Sequence, residues 1–486
     1  MKKLIFGYGA TGKSVESYFQ KNKIEYLIYD DDEKIKIEKV LLFDKDKSSE
    51  IDEVIISPGI KPDNPLVIQM KSEGKNIKTD IEIFSENYKG KVIGVTGTNG
   101  KTTYVNLLVD FLNLQGVNTI GAGNVGKSPL EIIDSNYDLV VLELSSFQLY
   151  YTNKLNLFAS VILNLNEDHL DWHKDYREYQ LSKYKIFTLP SEDVDVMGIK
   201  SNNFFFRVQE RWNKKMLDGT LKRFEVFFPP NAHLYLGSKT TKLENKGVFN
   251  RKQLENEWYE ISNMFKISKL PFFEDTSILF LMLIRYLIDT DLLEKYVTKI
   301  ILDQDTSLSI NNEEVDNYRI LLEPAYEFLL NSKNGPHRFE VVDKFNNITF
   351  INDSKSTNFR SLSMATTKVK NGILIMHGLT KNISIKDLKI SDEIQTIIFP
   401  KDMKFEIPRL WTHHFDENHE LQEGSKIKLI KLENIFDLED KLIKIIKPGD
   451  TVLFSCGGAS FNDFKNYEER GNFFKTVVSN IKDRNA

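Results

Sequence analysis

Cysteine is nearly absent from this sequence. The 486 residues include one, Cys456, which excludes an internal disulfide and any cysteine-rich zinc site. An excess of positive charge is missing too: 65 Lys and Arg stand against 70 Asp and Glu, a net charge of −5. Binding to nucleic acid through bulk charge is thereby disfavoured, and no nucleic-acid partner is expected. Long apolar runs are also lacking. The opening Met1-Lys2-Lys3-Leu4-Ile5-Phe6 imitates a signal peptide, but its apolar stretch stops at Gly7, short of the ~7–15 residues an h-region needs. The run from Ile278 to Ile288 is broken by Arg285, and about 18 apolar residues are needed to cross a bilayer. A cytoplasmic protein without membrane insertion is expected. Internal repeats and low-complexity tracts are absent, and the 41% hydrophobic content is that of an ordinary globular mixture. At about 100–200 residues per domain, the length suggests three domains.

The order of segments indicates an α/β fold. Leu4–Phe6, Tyr26–Tyr29 and Val54–Ile56 read as strands, Ser14–Lys21 as a helix, and Ser57-Pro58-Gly59 as a turn. A second rhythm starts at Lys91, with a strand over Val92–Thr96, a helix over Thr102–Leu114, and strands over Leu139–Leu142 and Ser160–Leu163. Residues 190–330 mix aromatic and charged residues without clear periodicity. The rhythm returns with strands at Ile348–Ile351, Ile373–Met376, Ile397–Phe399 and Val452–Phe454. Domain boundaries are placed near 88 and 334.

Two glycine loops carry the chemistry. Gly7-Tyr8-Gly9-Ala10-Thr11-Gly12 lies between a strand and a helix, where a diphosphate can sit at the helix N-terminus, and Asp30 ends the next strand in reach of a ribose hydroxyl. A glycine turn that merely packs helix on strand is the alternative. Thr96-Gly97-Thr98-Asn99-Gly100-Lys101-Thr102-Thr103 also follows a strand and precedes a helix. Its backbone N–H groups would cradle phosphates, Lys101 would neutralise the β/γ oxygens, and Thr102 would ligate Mg²⁺. Val95 occupies the place of the first glycine in the generic spacing. Two such loops disfavour a simple NAD-dependent oxidoreductase, which has no use for the second.

Glu143 ends a strand beside the phosphate loop and suits Mg²⁺. His169 and His173, four apart, raise the thought of zinc on a helix, but no glutamate follows the first histidine, and Asp168 and Asp171 read as helix caps.

The runs TGTNGKTT (96–103), GNVG (123–126), ELSSFQL (143–149) and NEDHLD (166–171) resemble the Mur ligases. So do PHRFE (336–340), NDSKSTN (352–358) and ASFNDFKNYEERG (459–471), in order along nearly the whole chain. Among these, ELSSFQL, the DSK run and the ASFNDF run point to D-glutamate as the acceptor. The resemblance implies an N-terminal Rossmann-like domain for UDP (1–88), a central P-loop ATPase domain (89–333) and a C-terminal Rossmann-like domain that docks the amino acid (334–486). It implies an ATP-dependent amide ligase of peptidoglycan precursor synthesis, acting as a monomer on UDP-N-acetylmuramoyl-L-alanine and D-glutamate through an acyl phosphate.

The UDP moiety would then lie by Gly9, Ala10, Thr11, Asp30, Asp31, Ser57, Pro58, Gly59 and Asn124. Gly97, Thr98, Asn99, Gly100, Lys101, Thr102, Thr103, Arg338 and Asp353 would hold ATP. Thr102 and Glu143 would hold one Mg²⁺, and His169 with a carbamylated Lys183 a second. Lys183 is chosen from Tyr179-Gln180-Leu181-Ser182-Lys183, with Lys185 as rival. Lys355 would lie close to the reacting phosphates, and Thr357, Lys381, Ser460, Phe461 and Tyr467 would grip D-glutamate. Two departures stand out. The family's Gly-x-His-Asn…Asn run is replaced by Leu270–Ser277, so loose nucleotide selectivity is expected, and an insertion is expected around 190–270. The rival readings are another Mur-type or folate-type ligase, and a degenerate family member that only binds nucleotide.

Overall fold

The structure is a computed structural model that describes residues 2–32, 45–124, 126–186, 199–201, 203–206, 233–235, 240–242, 261–272, 274–288, 291–303, 314–379, 390–401, 403 and 427–484. Short runs of Val, Ile and Leu become parallel strands here because helices cover both faces of each sheet. The chain divides into two units, Met1–Leu165 with Trp172–Asn331, and Asn166–Asp171 with Ser332–Ala486.

In the first unit, β1 (Lys2–Phe6), β2 (Tyr26–Tyr29), β3 (Ile51–Ile56) and β4 (Asn76–Lys78) form a parallel sheet of order β2-β1-β3-β4. A second sheet takes β5 (Lys91–Thr96), β6 (Thr119–Gly123), β7 (Leu139–Glu143), β9 (Ala159–Ile162), β11 (Asn203–Phe206), β12 (His233–Tyr235) and β13 (Thr240–Lys242). Its order is β13-β12-β11-β9-β5-β7-β6, with β13 antiparallel to β12 and the other pairings parallel. β8 (Leu155–Leu157) pairs separately with β10 (Ile199–Ser201). The helices are α1 (Ala10–Lys21), α2 (Pro65–Ser72), α3 (Asp80–Asn87), α4 (Lys101–Leu114), α5 (Ser146–Tyr151), α6 (Tyr176–Tyr184), α7 (Glu274–Ile288), α8 (Glu294–Asp303) and α9 (Glu314–Asn331).

β7 is buried at every position, as befits a strand covered on both sides. Helices α4 and α7 share one core, where Phe111 meets Phe280 edge to face with ring centroids 5.7 Å apart. The fully buried Tyr104 hydroxyl donates to the Leu279 carbonyl at 2.9 Å, so its burial leaves no unmet donor. Because β9, β5 and β7 are adjacent and parallel, the loops that follow them open at one edge of the sheet, where α/β proteins bind ligands.

The second unit holds β14 (Glu340–Phe345), β15 (Ile348–Asp353), β16 (Gly372–His377), β17 (Ile394–Pro400), β18 (Lys428–Leu432) and β19 (Thr451–Gly457), with α10 (Phe359–Thr366), α11 (Leu438–Ile445) and α12 (Tyr467–Arg484). The sheet order is β14-β15-β19-β16-β17-β18, with β14 antiparallel. The period of two along β16 sorts its side chains: Ile373 and Ile375 join the core with α11 and α12, and Leu374 and Met376 join the core with α10. Each such fully buried side chain contributes about 1.5–3 kcal/mol.

The strands read from the sequence are all present, with β9 ending one residue early at Ile162 and the first helix starting at Ala10. Among the described residues, no helix is long and apolar enough to cross a membrane.

Candidate functional site

The first glycine loop turns back on itself closely. A Cβ on Gly12 would stand 2.2 Å from the Gly7 carbonyl oxygen, so any side chain there would break the turn. Gly9 caps α1, and Ala10 and Thr11 form its first turn. The Ser57 hydroxyl donates to the Gly7 carbonyl at 2.7 Å, tying the Ser57-Pro58-Gly59 turn to the loop. Asp30 accepts the backbone N–H groups of Tyr8 at 2.5 Å and Asp32 at 2.8 Å, while Asp31 accepts the Tyr29 hydroxyl at 2.8 Å. The Gly59 carbonyl accepts the Trp172 indole N–H at 3.3 Å. The loop and its strand-end carboxylate are therefore neighbours, as the sequence implied.

The second loop is the denser site. Gly100 caps α4, whose first residues are Lys101, Thr102 and Thr103. Lys101 Nζ donates to the carbonyls of Gly97 at 2.8 Å and Thr98 at 3.0 Å. Lys183 Nζ, at the end of α6 and 2% exposed as a residue, donates to the same Gly97 carbonyl at 3.0 Å and to Thr96 Oγ1 at 3.2 Å. Its ammonium also lies 4.9 Å from the centre of the Tyr179 ring, and the Tyr179 hydroxyl shares a 2.7 Å hydrogen bond with Thr98 Oγ1. Asn164 grips the loop from the other side: its Oδ1 accepts the Asn99 N–H at 2.9 Å, and its Nδ2 donates to the Asn99 carbonyl at 3.1 Å. Lys185, the rival lysine, points elsewhere. Its Nζ donates to the carbonyls of Tyr150 and Thr152, and burial pulls its pKa down to about 8.

Glu143 closes β7, next to β5, and is 2% exposed. Its Oε1 accepts Asn124 Nδ2 at 3.0 Å, and its buried Oε2 has no hydrogen-bond partner among the described residues. Among the described residues, no group of three or more His, Cys, Asp and Glu is arranged so that it could hold a metal ion. A Mg²⁺ ion carried by nucleotide phosphates needs only one or two protein carboxylates. An orphaned, buried carboxylate oxygen beside a phosphate-type loop fits that requirement.

In the second unit, Asp353 ends β15. Its Oδ1 accepts the Phe339 N–H at 3.0 Å and its Oδ2 the Ser455 hydroxyl at 2.7 Å. Burial pushes its pKa up to about 7, against the opposing pull of these bonds and of the Arg338 and Lys368 charges. Lys355 donates its N–H to the His337 carbonyl at 3.0 Å, and its Nζ lies 3.6 Å from the centre of the Tyr467 ring. Thr357 is half-buried, Ser460 is buried and Phe461 is exposed. Lys381 lies outside the described residues, as does most of the expected insertion.

The spacing of His169 and His173 is not that of a helix. Residues 164–175 are loop and turn, so Asp168 and Asp171 cap no helix; α6 starts at Tyr176 and is capped by Asp175, whose Oδ1 accepts the Glu178 N–H at 2.8 Å. Asp168 Oδ1 instead accepts the N–H of His169, a residue held at φ 56° with Nε2 3.7 Å from Asp168 Oδ2. His173 Nε2 shares a 3.0 Å hydrogen bond with Ser146 Oγ. Sequence reading passed over Asn164 and Tyr179 as loop-bracing residues. Asn164 carried a signal, since an amide directly after a buried strand is well placed to pair with a neighbouring loop. The departing Leu270–Ser277 segment reaches the loop as well, for Thr276 Oγ1 would be 3.2 Å from a Cβ on Gly100.

Comparison with known proteins agrees with this geometry. Residues 95–243 match the model of the Mur ligase middle domain. The UDP-N-acetylmuramoylalanine--D-glutamate ligase of Thermosipho melanesiensis is 28% identical, over 100% of this chain and 99% of its own. The enzyme of the same name from Buchnera aphidicola subsp. Schizaphis graminum is 30% identical, over 99% of this chain and 98% of its own. With a phosphate-type loop braced by two lysines in a matched middle domain, and relatives aligned from end to end, this chain belongs to the Mur ligase family.

Proposed function

We propose that this chain is an ATP-dependent amide ligase that adds D-glutamate to UDP-N-acetylmuramoyl-L-alanine, forming ADP and phosphate, in peptidoglycan precursor synthesis. The observation that carries the reading is the convergence of Lys101 and Lys183 on the Gly97 carbonyl, with Glu143 at the end of the adjacent strand. The end-to-end relatives named for D-glutamate supply the acceptor.

A carboxylate is a poor acyl donor, so the L-alanyl carboxylate oxygen first attacks the γ-phosphorus of ATP, and ADP leaves. The D-glutamate amine then attacks the acyl-phosphate carbonyl, loses a proton, and phosphate departs as the amide closes. Lys101 offsets the charge on the transferring phosphate, and the N–H groups at the start of α4 hold its neighbours. Thr102 and Glu143 would hold one Mg²⁺, and His169 with a carbamate on Lys183 would hold a second; such ions would supply the positive charge that offsets the repulsion between triphosphate and carboxylate. The carbamate would form from the deprotonated Lys183 amine and CO2 with release of a proton, leaving an anion where the ammonium now faces the Gly97 carbonyl and Thr96 Oγ1.

Arg338 and Asp353 contact ATP, Lys355 approaches the reacting phosphates, and Thr357, Lys381, Ser460, Phe461 and Tyr467 bind D-glutamate. The first glycine loop with Asp30, Asp31, Ser57 and Asn124 takes the UDP portion. The chain works as a cytoplasmic monomer, with domain divisions near 88 and 334. The test is phosphate release from ATP with UDP-N-acetylmuramoyl-L-alanine, with D-glutamate against L-glutamate, other amino acids and folates. Strict dependence on D-glutamate with a matching dipeptide product is expected; release with a different acceptor, or none, overturns the reading.

A further inference from the structure

Three loops of the second unit, each carrying or adjoining a residue assigned above to D-glutamate or the reacting phosphates, meet on one buried cation. Arg470, on α12, is 0% exposed. Its Nε donates to the Ser354 hydroxyl at 3.0 Å and its Nη2 to the Ser354 carbonyl at 2.7 Å, one residue before Lys355. Its Nη1 donates to the Gly458 carbonyl at 2.9 Å, two residues before Ser460, and to the His377 carbonyl at 3.2 Å, four residues before Lys381. Among the described residues, this guanidinium donates to neutral oxygens and an imidazole.

The clasp continues through the fully buried His377 side chain. Its Nδ1 lies 3.4 Å from Arg470 Nη1, and its Nε2 lies 2.8 Å from Asp463 Oδ2. A guanidinium can only donate, so Nδ1 is the acceptor and the imidazole N–H is on Nε2, donating to the Asp463 carboxylate. The Phe464 ring packs edge to face on the imidazole at 5.5 Å. Asp463 in turn holds the C-terminal end of the loop that carries Ser460 and Phe461, since its N–H donates to the Ser460 carbonyl at 3.3 Å.

We infer that His377 is a positioning residue for the amino-acid acceptor: with Arg470 and Asp463 it fixes the 458–464 loop against the ends of β15 and β16, and so sets the affinity for D-glutamate. This inference rests on the function proposed above. His377 contacts Arg470, Asp463 and Phe464, none of them assigned to the reacting atoms, so its loss acts on acceptor binding and leaves the nucleotide steps alone.

The test compares the full-length protein with His377→Ala and His377→Gln, whose amide reproduces the Nε2–H donor to Asp463. For His377→Ala the KM for D-glutamate should rise about tenfold or more, with the KM values for ATP and the UDP substrate and the saturated kcat within about twofold, and the Gln variant should recover most of the loss. Amide hydrogen exchange in the free protein should be at least tenfold faster at 458–464 in the Ala variant and unchanged at 97–104. Equal rises in all three KM values, no recovery in the Gln variant, or unchanged exchange at 458–464 overturns the clasp. A parent protein without D-glutamate-dependent phosphate release, but with the exchange change in the variant, overturns the functional reading and the acceptor named for these loops. A parent that shows that dependence, beside a variant unchanged in KM and exchange, overturns the positioning role alone.

Discussion

Substitution of Gly123 by Ala should damage the site through geometry alone. Gly123 has φ +103°, and a Cβ there would lie 2.4 Å from the Glu143 carbonyl oxygen and 3.2 Å from its nitrogen. Both are backbone atoms of a buried strand end, so neither can swing aside. The same carbonyl accepts the Asn124 N–H at 2.8 Å, and the Asn124 side chain holds Glu143 Oε1. A left-handed conformation costs an L-residue about 1–2 kcal/mol. Forcing the backbone apart to relieve the overlap adds about 1–3 kcal/mol. The loss of stability should therefore be about 2–5 kcal/mol. Gly116 is the control: at φ +81° its Cβ would meet nothing within 4 Å, so Gly116→Ala carries the left-handed cost without the clash. Urea unfolding followed by circular dichroism should show the Gly123 variant unfolding at distinctly lower urea than the Gly116 variant. At a temperature where both are folded, D-glutamate-dependent phosphate release should fall at least tenfold for Gly123→Ala and stay near the parent for Gly116→Ala. Equal midpoints for the two variants would refute the steric argument, and full activity in a destabilised Gly123 variant would refute the link to Glu143.

Lys183→Ala should lose activity by a hundredfold or more and regain part of it with added short-chain carboxylates, whereas Lys185→Ala should retain catalysis within a few fold; the reverse pattern in phosphate-release assays would move the carbamate to Lys185. Asp353 makes stability depend on pH: with its folded pKa near 7 against an ordinary 3.8, its contribution is complete below about pH 4 and is lost as pH rises through about 7, because the unfolded chain releases that proton first. Asp353→Asn, which resembles the protonated acid, should flatten that fall in thermal unfolding of the second unit, and an unchanged pH slope would show that Asp353 is ionised in the folded protein well below neutrality.

The parts of the site legible in the sequence are those made by short contiguous segments. A strand, a glycine loop and a helix start announce themselves together in Val92–Thr102, because local backbone demands choose those residues. Glu143 was legible for the same reason, as an acid ending an apolar run. Arg470 was not: within Tyr467-Glu468-Glu469-Arg470 it looks like one more charge on a solvated helix face. Its partners at 354, 377 and 458 come from other elements, two of them 93 and 116 residues away. β14 escaped for a different reason. As an antiparallel edge strand with half-exposed positions, it lacks the continuous apolar run that marked the others. The supposed caps at Asp168 and Asp171 show the opposite error, in which a spacing suited to a helix occurs in a loop that follows its own short-range hydrogen bonds.

Strand order in the second unit has a bearing on how such an enzyme can change its acceptor over evolutionary time. β15, β19 and β16 lie side by side and point the same way, so their C-terminal loops emerge together although they are far apart in sequence. With all three loops fastened to one guanidinium, a mutation that reshapes one of them strains the other two through Arg470. On the acceptor assignment proposed for these loops, a new amino-acid preference is reached by concerted replacement around an unchanged Arg470, and grafting a single loop from a ligase of different preference yields a weaker enzyme before it yields a different one.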